Sequence, residues 1–225
     1  MARRKHIKVA EVNDLPNVYS KRIEGSLEKF SQIVSNRQNL TLELACGNGE
    51  YTTGLAKLYP DRFFIGVDRK PNRIWRGAIT VKEEGLTNAV FLNAHIERIE
   101  QLIPPQSVEH IWIPFPEPHP ERGGRKKRVI HQRFLSIYRK LLKTDGVLHL
   151  KTDHKFLFDY AHTLCGWMGL TVVKSVPDLR NTGGLTPEES IMTRFEYDHL
   201  RDGRKIYYIS FLLDNFDLTK IPKYE

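Results

Sequence analysis

The sequence is poor in cysteine. Cys46 and Cys165 are the two present, and their spacing suits neither a disulfide framework nor a metal site. A reducing, cytoplasmic setting is the simpler expectation. The nine histidines form no H-E-x-x-H pair and no Cys/His cluster, so no metal centre is expected. No apolar run approaches the roughly 20 residues of a membrane-crossing helix, so no membrane partner is expected. The start, MARRKHIKVAEV, is basic without an apolar stretch behind it, which does not read as a secretory leader. Internal repeats and low-complexity tracts are missing too. Positive charge is what the chain has in excess. Lys and Arg number 35 against 27 Asp and Glu, a formal net charge of +8. Such an excess favours polyanionic partners through steering and counterion release. The 225 residues, 40% of them hydrophobic, fit one domain with trimmings.

Residues 40–50, LTLELACGNGE, organise the rest. An apolar run from Leu40 to Leu44 ends in a small-residue turn, and Leu55, Leu58 and Tyr59 then follow at helical spacing. This reads as strand, tight turn, helix. Glycine lets backbone approach a ligand closely, and the helix start points amide hydrogens into the same space. Three nucleotide-type patterns compete here, beside a βα turn that binds nothing. A dinucleotide fingerprint needs a third glycine where Thr52 stands. A phosphate loop needs Lys and Ser/Thr where Leu55 and Ala56 stand. The third pattern is an acid, then a glycine-rich turn, then an acid after the next strand. Glu43, Gly47, Gly49 and Asp68 supply it. That arrangement resembles the S-adenosyl-L-methionine site of Rossmann-like methyltransferases. Carboxylates suit a ligand carrying a sulfonium and an ammonium, and Asp68 is placed to accept from ribose hydroxyls.

Along the chain, residues 1–35 are expected to be a basic extension with a short helix at 26–34, followed by an α/β domain over 36–225. Arg3, Arg4, Lys5 and Lys8 make the start either a disordered tail or an arm touching nucleic acid. Strands are expected at 40–44, 63–68, 89–92, 108–115, 147–152, 170–175 and 206–213. Pro71 opens the helix after the second strand. Asn93, at the end of the third, is either a base contact or a turn asparagine. The fourth strand leads into PFPEPHPERGGRKKR. Its prolines deny regular hydrogen bonding and stiffen the chain, which holds Glu117 at the carboxyl end of a strand, where open α/β sheets build their sites. Arg122, Arg125, Lys126, Lys127 and Arg128 follow at once, either as a solvated charge run or as a polyanion contact. Asp153 ends the fifth strand. Residues 176–191 read as a long polar loop, and Thr193 to Glu196 as a lead into the last strand.

Taken together, Glu43-Leu44-Ala45-Cys46-Gly47-Asn48-Gly49, Asp68, Asn93-Ala94, Pro116-Glu117-Pro118-His119-Pro120-Glu121, Thr152-Asp153 and Thr193-Arg194-Phe195-Glu196 resemble the motifs of the bacterial tRNA (guanine-N7)-methyltransferases. The resemblance spans residues 40–213. It implies a Rossmann-like α/β fold with a mostly parallel seven-stranded sheet and helices on both faces. It implies S-adenosyl-L-methionine as cofactor and tRNA as partner, with methyl transfer to N7 of the variable-loop guanosine, position 46 in tRNA numbering. Glu43, Gly47, Gly49, Asp68, Asn93 and Glu117 would then hold the cofactor. Asp153, Thr193 and Glu196 would meet the guanosine, Arg125 and Lys126 the RNA, and Glu117 and Asp153 would be the catalytic carboxylates. Four positions depart from the family pattern. Ala45 replaces a glycine, a change expected to be mild because alanine is small. Glu117 replaces an aspartate and His119 a tryptophan. Glu121 stands where the family has a substrate-binding lysine, a role Arg122, Arg125 or Lys126 would have to take over. The rival readings are a methyltransferase for a small molecule or protein, and a non-catalytic RNA-binding protein.

Overall fold

The structure is a computed structural model. It describes residues 2–222, with side chains from Lys5 onward. The chain runs α1 (Ala2–Asn13), β1 (Val18–Ser20), α2 (Ser26–Ser35), β2 (Leu40–Leu44), α3 (Glu50–Leu58), β3 (Phe63–Asp68), α4 (Pro71–Glu83) and β4 (Ala89–Asn93). It continues with β5 (Val108–Pro114), α5 (Gln132–Leu141), β6 (Leu142–Thr152), α6 (Lys155–Met168), β7 (Val172–Val176), α7 (Pro187–Ser190), α8 (Arg194–Arg201) and β8 (Tyr207–Leu212). The strands form one sheet in the order β1-β4-β3-β2-β5-β6-β8-β7. Pairing is parallel from β1 to β6, and antiparallel where β8 lies between β6 and β7. Chain order reverses between β2 and β5, and ligands of open α/β sheets bind outside the carboxyl ends of the strands at such a point.

The seven expected strands are all present, and β1 is an eighth. Three residues give no periodic signal, but Val18 is buried and Val18 to Ser20 pair in register with Phe91 to Asn93. Between residues 12 and 34 the chain therefore packs against the sheet. Val12, Leu15 and Val18 are buried on one side of the sheet, Phe30 and Val34 on the other. The basic start, read as a tail or as an arm, is a helix from Ala2, while the Arg3 and Arg4 side chains lie outside the described residues.

Helices cover both faces because the central strands are apolar on both. Side chains of α2, α5 and α6 share one core with Leu42, Ile65 and Ile111, and side chains of α1, α3 and α4 share the other with Phe64 and Phe91. In α5, Phe134, Leu135, Tyr138 and Leu141 form the buried stripe, at roughly 1.5–3 kcal/mol for each large side chain. Pro71 takes the first-turn position of α4, as expected. Phe91 fixes how α3 and α4 seat on the sheet. A Cβ at Gly49, Gly66 or Gly77 would lie 2.3, 2.7 or 2.6 Å from its ring atoms, so three glycines from a turn, a strand and a helix form its socket. Among the described residues, no helix is long and apolar enough to cross a membrane, and no cluster of metal-ligating side chains occurs.

Candidate active site

A cleft of about 400 Å³ opens at the carboxyl ends of β2, β3, β4 and β5. Ala45, Asp68, Ala94, Pro116 and Glu117 lie on its walls, and Arg69, Arg73, Lys127 and Arg133 carry positive charge to its surface. The buried Asp68 carboxylate is held from two sides. Its Oδ2 accepts from Gly47 N at 3.0 Å and its Oδ1 from Lys70 N at 2.8 Å. A carboxylate has about four acceptor positions, so two remain for a ligand. Asp68 and Glu117, expected at the cofactor, are thus brought together across one cleft.

The glycine turn divides in function. Gly47 has φ +56°, and a Cβ there would meet nothing nearer than Ala45 O at 4.0 Å, so its open side is available for close approach. Gly49 has φ +67° and faces the Phe91 ring, so packing explains it rather than a ligand. Ala45 corrects an expectation. Its φ is +55°, in the left-handed region, where a Cβ costs roughly 1–2 kcal/mol. The exchange for glycine is therefore not mild: small size does not relieve a backbone clash.

Glu43 lies beneath the turn rather than on the cleft wall. Its Oε2 accepts from Thr52 N at 2.7 Å and Thr52 Oγ1 at 2.6 Å. The N-cap of α3, Gly49, has no side chain to bind an orphan amide, and Glu43 binds one from the strand below. Burial pushes its carboxyl up to about 8, against the lowering effect of the Thr52 hydrogen bonds. Asn93 is likewise engaged inside the protein. Its Nδ2 donates to Asp68 O at 2.9 Å, and its Oδ1 accepts from Ser20 Oγ at 3.3 Å. It ties three strand ends together beside the cleft, whose wall is formed by the next residues, Ala94 and His95.

Glu117 is exposed on its proline loop, between two residues in left-handed conformations, Phe115 at φ +51° and His119 at φ +43°. Non-glycine residues in that region mark a loop held by its surroundings. The holding group is Arg128, which the basic run in the sequence did not set apart. It is buried, stacks over Phe156 and Tyr160 at 4.7 and 4.5 Å, and donates through Nε to His119 O at 3.0 Å. Lys126 and Lys127 remain exposed on the turn Arg122–Lys127, and Arg125 is half-exposed. The Glu121 carboxylate folds back against Gly124, 3.5 Å from His119 Nδ1.

Asp153 lies at the end of β6. Its Oδ2 binds Arg204 Nη1 at 2.8 Å and lies 3.3 Å from His199 Nδ1. Thr193 and Glu196 belong to α8, a helix the sequence did not reveal. Thr193 caps it, its Oγ1 accepting from Glu196 N at 3.1 Å. The Glu196 carboxylate turns inward and is fully buried, 2.8 Å from Lys151 Nζ and 2.5 Å from Arg180 Nη2. Direct contact of that carboxylate with a nucleoside does not fit this packing, because its oxygens face the buried Lys151 and the largely buried Arg180. Lys151 itself donates to Tyr51 Oη and to the carbonyls of Glu189 and Ile191. Burial pulls Lys151 down to about 8, with Glu196 acting to raise it. The expected polar loop at 176–191 contains α7, started by a complete capping box between Thr186 and Glu189.

A family described as "Putative methyltransferase" matches residues 37–209. A tRNA (guanine-N(7)-)-methyltransferase of Porphyromonas gingivalis is 42% identical over 183 residues, 81% of this chain and 74% of that protein. One from Cytophaga hutchinsonii is 34% identical over 94% of this chain and 98% of its own length. The chain belongs to the tRNA (guanine-N7)-methyltransferase family. The fold agrees with that membership: the crystal structure of a 16S rRNA methyltransferase, KamB, superposes with a TM-score of 0.61 at 17% identity, over 87% of this chain and 98% of that one. The structure brings the acids at 68 and 117 to the cleft, leaves that at 153 outside its lining at the end of β6, and turns those at 43 and 196 into the protein's own framework.

Proposed function

We propose that this chain transfers the methyl group of S-adenosyl-L-methionine to N7 of a guanosine in tRNA, and that the target is the variable-loop guanosine, position 46 in tRNA numbering. The observation that carries the reading is the pair of carboxylates, Asp68 and Glu117, facing one cleft at the sheet's switch point, with the basic turn directly after Glu117. The cleft fits the cofactor. Asp68 retains acceptor positions for ribose hydroxyls, Gly47 offers an open backbone, and Glu117 supplies negative charge for a cationic ligand. Glu43 and Asn93 serve the cofactor by fixing the strand ends and the turn around it.

When bound, the cofactor supplies an electrophilic methyl on a sulfonium. Guanine N7 has a lone pair and no proton to lose, so no residue has to act as a base. Asp153 uses Oδ2 for Arg204 and His199, and Oδ1 is the atom we assign to the donor edge of the guanine. Glu117 and Asp153 stabilise the positive charge that grows on the base. Thr193 and Glu196 act through α8, which carries His199 to Asp153. Arg125, Lys126 and Lys127 bind phosphates, and Arg128 holds their turn in place.

Transfer of labelled methyl to unmodified tRNA tests the reaction, with a control transcript carrying adenosine at position 46. Label on the first and none on the second is expected. Label on both would move the target within tRNA, and label on neither would end the tRNA reading. The Arg125, Lys126 and Lys127 to Ala triple variant is expected to flatten the salt dependence of tRNA binding by up to about three counterions.

A further inference from the structure

The strands β5, β6 and β8 have two unlike faces. Ile111, Ile113, Leu148, Leu150, Ile209 and Phe211 lie on one, buried under helices. The alternate positions on the other are His110, Trp112, His149, Lys151, Tyr208 and Ser210. A face built to receive a helix is aliphatic, and a face built for water carries exposed charge. This face is aromatic and polar instead, and α3 covers part of it, with Tyr51 5.0 Å from the Trp112 ring and accepting from Lys151. Its rings form a ladder across three strands: Trp112 and His149 are parallel, 4.0 Å apart with 7° between planes, and Tyr208 lies 6.2 Å from each. The polar atoms form a relay. His110 Nδ1 is 3.0 Å from His149 Nε2, and His149 Nδ1 is 2.8 Å from Tyr208 Oη.

Above this ladder is a second cavity of about 310 Å³, rimmed by Tyr59, Arg62, Val173 and Lys174. It draws on Thr41, Phe64 and Val147, near the starts of the parallel stretches, whereas the methyl-donor cleft lies at the strand ends, and the two share no lining residue. Its carboxylates are already engaged: Glu189 with Lys174 at 2.7 Å, and Glu188 with the Tyr59 hydroxyl. An ion would have to compete with these partners. The volume lies at the small end of ligand pockets, enough for one ring system. Arg62 lies over the Tyr59 ring at 4.7 Å and adds a flat cationic surface at the rim. The relay can carry its protons in either direction, so the outer nitrogen of His110 can donate or accept. A nucleobase has this character, a flat ring whose edge both donates and accepts.

We propose that this cavity is a second ligand site, for a single nucleobase, carried by a free nucleoside or by an unpaired residue of an RNA chain. The assignment is independent of the methyl-transfer reading. It is tested in a variant with Trp75→Phe and Trp167→Phe, which leaves Trp112 as the one tryptophan reporter. Adenosine is titrated against its fluorescence. The expected result is a saturable change, weakened at least tenfold by His110→Ala in the wall and by Val173→Phe at the rim, and absent with ribose. Both substitutions lie outside the first cleft, so adenosine binding that survives them belongs elsewhere and overturns the assignment. So does the lack of any saturable change up to roughly 10 mM, well beyond a millimolar Kd. Displacement of adenosine by a tri-adenylate would assign the site to an RNA base, and resistance to displacement would assign it to a free nucleoside.

Discussion

Replacing Glu196 separates a structural carboxylate from a substrate-binding one. Glu196 is fully buried between Lys151, also fully buried, and the largely buried Arg180. Removing one member of such a set leaves buried charge behind, at about 3–5 kcal/mol. Lys151 sets a ceiling on its own share, because it can shed its proton instead. Holding an ordinary lysine neutral at pH 7, some three and a half pH units below its free value, costs roughly 5 kcal/mol. Arg180 keeps some exposure and can turn toward water. Glu196→Ala is therefore expected to destabilise by about 3–5 kcal/mol, a fall in Tm on the order of 10 °C for a chain of this size. The pair Lys151→Met with Glu196→Leu removes both charges and is expected to recover most of that loss. Thermal unfolding followed by circular dichroism reads the stability, and methyl transfer to tRNA reads the function. If Glu196 acts by holding α8, the double variant regains activity along with stability. A double variant as stable as the parent but without activity would refute the reasoning and return the carboxylate to the guanosine. A Tm loss below about 2 °C in the single variant would refute the buried-charge argument itself.

Ala45→Gly relieves a left-handed alanine and is expected to stabilise by about 1 kcal/mol, measured by urea unfolding. Gly66→Ala presses a Cβ into the Phe91 ring and is expected to cost about 1–3 kcal/mol, with partial recovery when Phe91→Leu is added; an unchanged urea midpoint would contradict the socket. Glu43 holds its proton up to about 8 when folded, against 4.5 for its ordinary value. The unfolded chain therefore binds fewer protons between those values, and the contribution of Glu43 to stability falls as pH rises from about 4.5 to about 8. Glu43→Gln is expected to flatten the stability–pH profile in that window, and a profile parallel to the parent's would refute it. Arg128→Met keeps bulk but loses the contact to His119 and the charge over two rings, so both turnover and tRNA affinity are expected to fall, since the loop carries Glu117 and the basic turn alike; unchanged kcat and KM would refute the holding role.

What the sequence disclosed and what it withheld follow from the range of the interactions involved. β3 and β4 were legible because their strands are short and mostly apolar, β2 because Leu40, Leu42 and Leu44 lead straight into a glycine-rich turn, and α4 because its stripe and its leading proline are local signals. The positions of Asp68 and Glu117 on the cleft were legible because strand ends and proline loops place them whatever their neighbours do. Side-chain direction was not, since it depends on partners far along the chain. Glu43 looks like any acid at a strand end until Thr52 closes over it. Arg128 looks like its exposed neighbours in a basic run until α6 brings Phe156 and Tyr160 beneath it. One local signal has two structural outcomes. Thr186-Pro187-Glu188-Glu189 and Thr193-Arg194-Phe195-Glu196 both have the spacing of a helix capping box, and both start helices. In the first the glutamate turns back to the N-cap amide, at 3.1 Å. In the second Thr193 caps in the same way, but Lys151 lies 2.8 Å from Glu196 and draws the carboxylate inward. The two segments share one spacing and differ in the cation within reach, the half-exposed Lys174 at Glu189 and the fully buried Lys151 at Glu196. That difference decides whether the glutamate finishes a helix end or helps to anchor an entire element against the sheet.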